Sequence, residues 1–280
     1  MNAGPQGPAD ERAVAPDVHR IEPVMGTVVV VDIYTGGDPV PADVYRRLAR
    51  ARAVLHRADA VFSTWKRESP VSRLRRGEVS LEETPPDVRE VLELCASARD
   101  ATGGWFDPWA MPGGVDPTGY VKGWAAQKAL DALVGSGVTG ALVNAAGDIA
   151  CSGSPSPGGP WRIAVADPSS RAGIVAVAEV TRSIATSGTY ERGAHLVDPR
   201  TGLAGTRVAS ATVTGPDLGR ADALATALAV GGDEVLPLVG GLEGYEGLTV
   251  QRDGTWSATP AFPFAAGGTP DEVARLLAGG

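Results

Sequence analysis

Apolar and polar positions alternate in two rhythms along this chain. Val44, Leu48, Ala51, Leu55, Ala58 and Phe62 recur at steps of four and three, which predicts one long amphipathic helix starting near Pro41. Val88, Val91, Leu92 and Cys95 line a second helix, opened by Thr84-Pro-Pro-Asp87 and stopped at Thr102-Gly-Gly104. Ala125, Ala129, Leu130 and Leu133 form the apolar side of a third. A fourth lies between Gly219 and the Gly231-Gly232 pair, with alanines and leucines inside. Thr269-Pro-Asp-Glu-Val273 caps a short C-terminal helix.

The second rhythm predicts strands. Val28–Tyr34 is a β-branched run and the expected first ordered element. Gly140–Ala150 reads as one apolar strand ending in a turn with Asp148. Trp161–Ala166, Ile174–Val180, Ser183–Ser187 and Val208–Thr214 follow. Leu248–Ser257 reads as a hairpin about Asp253-Gly254. Strands therefore dominate after residue 140, with the Gly219 helix embedded among them.

Residues 1–20 read as a flexible tail, because Met1 to Asp17 is rich in Pro, Gly and Ala. Residues 21–280 read as a single domain, with the Ser152–Pro160 loop either a lobe boundary or a hairpin connection. His19 has no evident partner, and His56 falls on the solvated side of its helix. The net charge of −8 argues against nucleic-acid and anionic-membrane partners. No stretch approaches the length of a transmembrane segment. The acidic start does not resemble a signal peptide, so the chain as given is expected to be cytoplasmic. Cys95 and Cys151 form no ligand cluster, and Cys95 is expected to be a buried thiol.

Chemistry concentrates in a few places. Asp222 and Thr226 stand four apart on the Gly219 helix, on one face and among alanines. They read either as a solvent-facing hydrogen-bonded pair or as two hard oxygen ligands for Mg²⁺. The Gly/Pro loop Pro112–Trp124 runs into a helix and would offer free N–H groups to an anion, with Lys122 adding charge. Trp65, just past a helix end, is a core plug or a flat surface for a ring, and the core plug is the expectation. Trp105-Phe106-Asp107 follows a glycine turn and suits a pocket rim or a tight loop on the core. His195 precedes the Asp198-Pro199 turn, where pocket residues sit.

Read together, these pieces resemble the ApbE family, the FAD:protein FMN transferases. The matching runs are Met25-Gly-Thr27, Phe62–Trp65, Thr102–Asp107, Asp116–Gly123, Asn144–Asp148, Ser187–Tyr190, His195–Gly202 and Ala221–Thr226, in the family's order. The resemblance implies an α+β fold, T-fold-like, with largely antiparallel sheets and packed helices. It implies an enzyme that uses Mg²⁺ to move the FMN half of FAD onto a Thr or Ser hydroxyl of an acceptor protein, releasing AMP. By position, Asp222, Thr226 and the Gly119 carbonyl match metal ligands. Met25, Trp65, Trp105, Phe106, Asp107, Asp116, Lys122 and Val197 match FAD contacts, and His195 matches the proposed catalytic histidine. Two other readings fit the same scaffold: an FAD pyrophosphatase giving FMN and AMP, and a non-catalytic flavin-binding protein. Three departures stand out. Ala145-Ala-Gly-Asp148 replaces the usual Gly-Gly-Asp, the loop after Ser69 lacks a frequent Asn, and many members are exported lipoproteins, whereas no signal is visible here.

Overall fold

The alternation seen from Val28 onward begins earlier than the sequence suggests. In the computed structural model, which describes residues 14–37, 39–155, 159–170, 173–188 and 196–278, β1 (Val18–Val24) pairs antiparallel with β2 (Thr27–Tyr34). The first ordered element is therefore β1, and it includes residues 18–20 of the expected tail; residues 1–13 lie outside the described residues. His19 does have a partner, since its Nδ1 sits 2.6 Å from Asp32 Oδ1 on the paired strand. The exposed side chains His19, Arg20 and Pro23 hide the strand pattern, and a proline is tolerated there because β1 is an edge.

The remaining elements follow in order: α1 (Ala42–Phe62), α2 (Pro70–Arg75), α3 (Pro86–Ala101), α4 (Thr118–Leu133), β3 (Gly140–Ala145), β4 (Asp148–Gly153), β5 (Trp161–Ala166), β6 (Ile174–Val180), β7 (Ser183–Gly188), β8 (Ser210–Gly215), α5 (Leu218–Gly231), α6 (Leu236–Gly240), β9 (Glu246–Val250), β10 (Trp256–Ala258) and α7 (Pro270–Ala278). Eight strands form one antiparallel sheet in the order β1-β2-β3-β4-β7-β8-β9-β10. The chain leaves this meander once, for the separate hairpin β5–β6. The architecture is α+β.

Pleating divides the sheet into two faces. Val29, Val31, Ile33, Val143, Ala211 and Val213 join α1, α4 and α5 in the larger core. Ile149, Cys151, Ile184 and Leu248 face the other way and pack against Trp161, Val165 and Ala178 of the β5–β6 hairpin. No helix among the described residues is long and apolar enough to cross a membrane.

Run 140–150 is not one strand. It is the β3–β4 hairpin, and Asp148 opens β4 instead of ending β3. Its two-residue turn, Ala146-Gly147, has φ of +52° and +96°, as a type I′ turn demands. The N–H of Gly147 donates to Asn144 Oδ1 at 2.8 Å, and this side-chain bond helps hold an alanine in a conformation that glycine prefers. Met25-Gly26, between β1 and β2, is built the same way, with φ of +55° and +68°. Val29 pairs with Ala145, so both turns lie at one end of the sheet.

α5 occupies the middle of the molecule. Asp217 caps it, accepting from the Arg220 N–H at 2.8 Å. Every residue of α5 except Arg220 and Thr226 is buried, which explains the run of alanines. At its start it meets α4 backbone to backbone. A Cβ on Gly123 would lie 2.4 Å from the Leu218 carbonyl oxygen, and one on Gly219 would lie 2.6 Å from Tyr120 Cε1.

Candidate active site

The close approach of α4 and α5 places Asp222 against α4. Its side chain is buried, and its Oδ2 accepts from the Gly123 N–H at 3.2 Å. The solvent-facing reading of the Asp222–Thr226 pair is thereby overturned for Asp222, which lies on a buried helix face. Thr226, one turn on and partly exposed, has its hydroxyl 3.4 Å from Ser187 Oγ at the end of β7. A Cβ on Gly119, in the first turn of α4, would lie 3.5 Å from Thr226 Oγ1 and 3.3 Å from Phe106 Cε2. Gly119, Phe106, Asp222 and Thr226 are therefore brought together at the end of the sheet that carries the Ala146-Gly147 turn.

Asp148 joins them. The first residue of β4 is fully buried; its carboxylate takes the Lys122 ammonium, accepts from the Thr186 N–H at 3.3 Å and neighbours the Asp222 carboxyl. Full burial pushes its carboxyl above the usual carboxylate range, and the neighbouring Lys122 opposes that push. Two buried carboxylates and one ammonium leave an excess of negative charge. Such an arrangement is costly unless a proton or a cation completes it. Among the described residues no three His, Cys, Asp or Glu side chains cluster as a ready-made metal cage. The donors at hand are hard oxygens: the Asp222 carboxylate, the Thr226 and Ser187 hydroxyls and the peptide oxygen of Gly119. That set suits Mg²⁺, which commonly takes one or two carboxylates and draws its other ligands from water and phosphate.

Trp105 and Phe106 are buried, and the Thr102 hydroxyl accepts from the Phe106 N–H at 3.2 Å. Of the two readings of this segment, the tight loop on the core describes both rings. Trp105 packs against Gly231 of α5, and the Arg200 guanidinium sits 3.7 Å from its ring centroid, with that of Arg207 at 4.8 Å. A ligand ring stacking there would have to share or displace those cations. Asp107 caps the following turn, accepting from the Trp109 N–H at 2.9 Å. Asp116 stands before α4, where its carboxylate takes the Arg75 guanidinium at 2.7 Å and the Thr118 hydroxyl at 2.6 Å.

Other residues of the expected site sit on further elements. Trp65 is 94 % exposed, which overturns the core-plug expectation. Its loop is firmly built, because the Ser69 and Ser72 hydroxyls both donate to the Ser63 carbonyl, at 2.5 and 3.0 Å. Met25 is at the β1–β2 turn, partly buried against the larger core. Val197 bridges to Ala204 at the base of the turn that carries Arg200. His195 lies outside the described residues. Asp148 and Ser187 were missed as site residues although both fall in the matched runs. An acid placed directly after a turn in an apolar stretch was the available signal for Asp148.

Comparison with known proteins places the chain among characterised folds and families. The ApbE family model matches residues 25–113 and 110–247. A FAD:protein FMN transferase of Rhodobacter capsulatus is 33 % identical over 156 residues, covering 52 % of this chain and 30 % of the relative. One from Vibrio cholerae is 36 % identical over 131 residues, covering 43 % and 39 %. The chain thus matches 30 % and 39 % of these relatives' length. Among solved structures, the flavin transferase ApbE from Vibrio cholerae superposes with a TM-score of 0.74 at 22 % identity, covering 86 % of this chain and 96 % of that one. The apo flavinyl transferase ApbE of Pseudomonas stutzeri gives 0.72 at 25 % identity, covering 87 % and 95 %. The family match takes in Asp148, Asp222, Thr226 and the α4 residues around them, and the chain belongs to the ApbE family.

Proposed function

We propose that this chain is an FAD:protein FMN transferase. The observation that carries the reading is the Asp222–Thr226 pair on α5, with Asp222 buried beside Lys122 and Asp148 and Thr226 partly exposed one turn on. In the reaction, an acceptor Thr or Ser oxygen bonds to the FMN-side phosphorus of FAD. The bond from that phosphorus to the bridging pyrophosphate oxygen breaks, AMP leaves with the bridging oxygen, and the hydroxyl proton passes to a base.

Each residue has a task in that scheme. Asp222, Thr226 and the Gly119 carbonyl would hold Mg²⁺, which neutralises pyrophosphate charge and orients the phosphoryl group when bound. Lys122 adds positive charge at the start of α4, whose free N–H groups also favour an anion. His195 takes the hydroxyl proton. Met25, Trp65, Trp105, Phe106, Asp107, Asp116 and Val197 contact FAD. The names of the relatives support the activity, and the donor chemistry supports the metal.

Incubation with FAD, Mg²⁺ and candidate acceptor proteins tests the proposal. Acceptor mass should rise by one FMN moiety while AMP appears in equal amount. Release of free FMN without acceptor labelling would make the protein an FAD pyrophosphatase instead.

A further inference from the structure

We propose that Asp148 is a positioning residue for the metal-binding helix, acting through Asp222 and Lys122. The inference rests on the proposed flavin transfer only for the identity of the ligands. The argument begins with burial. Asp148 has no solvent exposure, and a carboxylate is costly to place there without compensation. It nevertheless touches three elements at once: Lys122 on α4, Thr186 on β7 and Asp222 on α5.

Thr186 is itself braced, since its hydroxyl bonds that of Thr212 at 2.9 Å across to β8. Asp148 is thus the point at which the sheet fixes both helices of the site. Its carboxylate takes the Lys122 ammonium and lies beside the Asp222 carboxylate. It also adds negative charge behind that carboxylate. Outer-shell groups of this kind commonly change metal affinity by about 10- to 100-fold when removed.

The two partners of the ion pair then have opposite signatures. Asp148→Asn keeps the shape but removes charge, and should weaken binding of Mn²⁺, a paramagnetic stand-in for Mg²⁺, by about 10- to 100-fold. Lys122→Gln removes a cation from beside the metal position. It should bind Mn²⁺ at least as well as the wild type while binding FAD more weakly. Electron paramagnetic resonance of free Mn²⁺ reads the first quantity, and flavin fluorescence reads the second. If Asp148→Asn does not fold, the neutral double variant Lys122→Gln/Asp148→Asn replaces it. It should bind Mn²⁺ at least 10-fold more weakly than Lys122→Gln alone.

Equal Mn²⁺ affinity in Asp148→Asn and wild type overturns the inference. So does equal weakening by both single substitutions, the signature of general loss of packing, and so does a wild type that binds no Mn²⁺. Wild-type transfer of FMN to an acceptor is assayed in parallel. Transfer with unchanged Mn²⁺ affinity in Asp148→Asn removes the positioning role and leaves the function standing. The expected order of Mn²⁺ affinities without any transfer does the reverse.

Discussion

Ala146 occupies a position that its own side chain disfavours. At φ +52° its Cβ crowds the following carbonyl, a cost of roughly 1–2 kcal/mol for an L-residue. Ala146→Gly removes that strain but loosens the unfolded chain, which offsets part of the gain. The net expectation is a stabilisation of about 0.5–1 kcal/mol. It should be read as a higher urea midpoint at unchanged slope. His195 carries a second prediction at this scale. If it takes the acceptor's proton, His195→Ala should slow single-turnover transfer by about 10²- to 10⁴-fold at saturating FAD. FAD affinity should hold, because the metal and ring contacts remain. A rate within a few-fold of wild type would take the histidine out of the mechanism. That Asp222 and Thr226 share one helix face was legible in their spacing, but the burial of Asp222 was not. A four-residue step places two side chains on one face without saying what that face meets. Trp65 shows the same gap in reverse: an aromatic at a helix end suggested packing, and the fold displays it to solvent.

Elements with a strong period were easiest to read. α1, α3 and α5 begin and end within a residue or two of their sequence limits, because stripes of apolar residues and Pro or Gly boundaries agree there. Two elements were hidden. β1 has no β-branched run, and the β3–β4 turn contains Ala146 where Asn or Gly is the usual sign. Beyond its ladder with β2, an ionic contact ties β1 to α1. The buried Glu22 carboxylate accepts from Arg52 Nε at 2.6 Å and lies 2.8 Å from His56 Nε2, both on α1. His56, expected to be solvated, remains half exposed but contributes to this cluster. The Arg52 hydrogen bond leads in lowering the Glu22 pKa from 4.5 to about 2, against the opposing effect of burial. A depressed carboxyl contributes stability that is fully present above pH 4.5 and is lost as pH falls toward 2. Glu22→Gln should therefore reduce stability at neutral pH. It should also flatten the pH dependence between 4.5 and 2, measured as unfolding midpoints across that window. A difference from wild type that stays constant through the window would contradict the role given to Glu22.

At the scale of the molecule, the order of the sheet was beyond the sequence. β4 and β7 become neighbours only because β5 and β6 leave as a hairpin of their own, and nothing local records that. The same assembly is what gathers residues from α4, β4, β7 and α5 at one end. Because the residues assigned to FAD are spread over several elements, the whole dinucleotide should bind more tightly than either half. FAD should raise the melting temperature more than FMN at equal concentration, since stabilisation grows with the ratio of ligand concentration to dissociation constant. Equal shifts would mean that the AMP half makes no contact of consequence. The glycine contact between α4 and α5 has a mechanical meaning. With Gly123 against the Leu218 carbonyl and Gly219 under Tyr120, no layer of flexible side chains lies between the two helices to act as a cushion. Sliding α5 along α4 would drive a side chain into backbone, so the two move as one stiff beam. Whatever adjustment the protein makes around a ligand must then come from its loops, while the spacing between Gly123 and Asp222 stays as rigid as a gauge block.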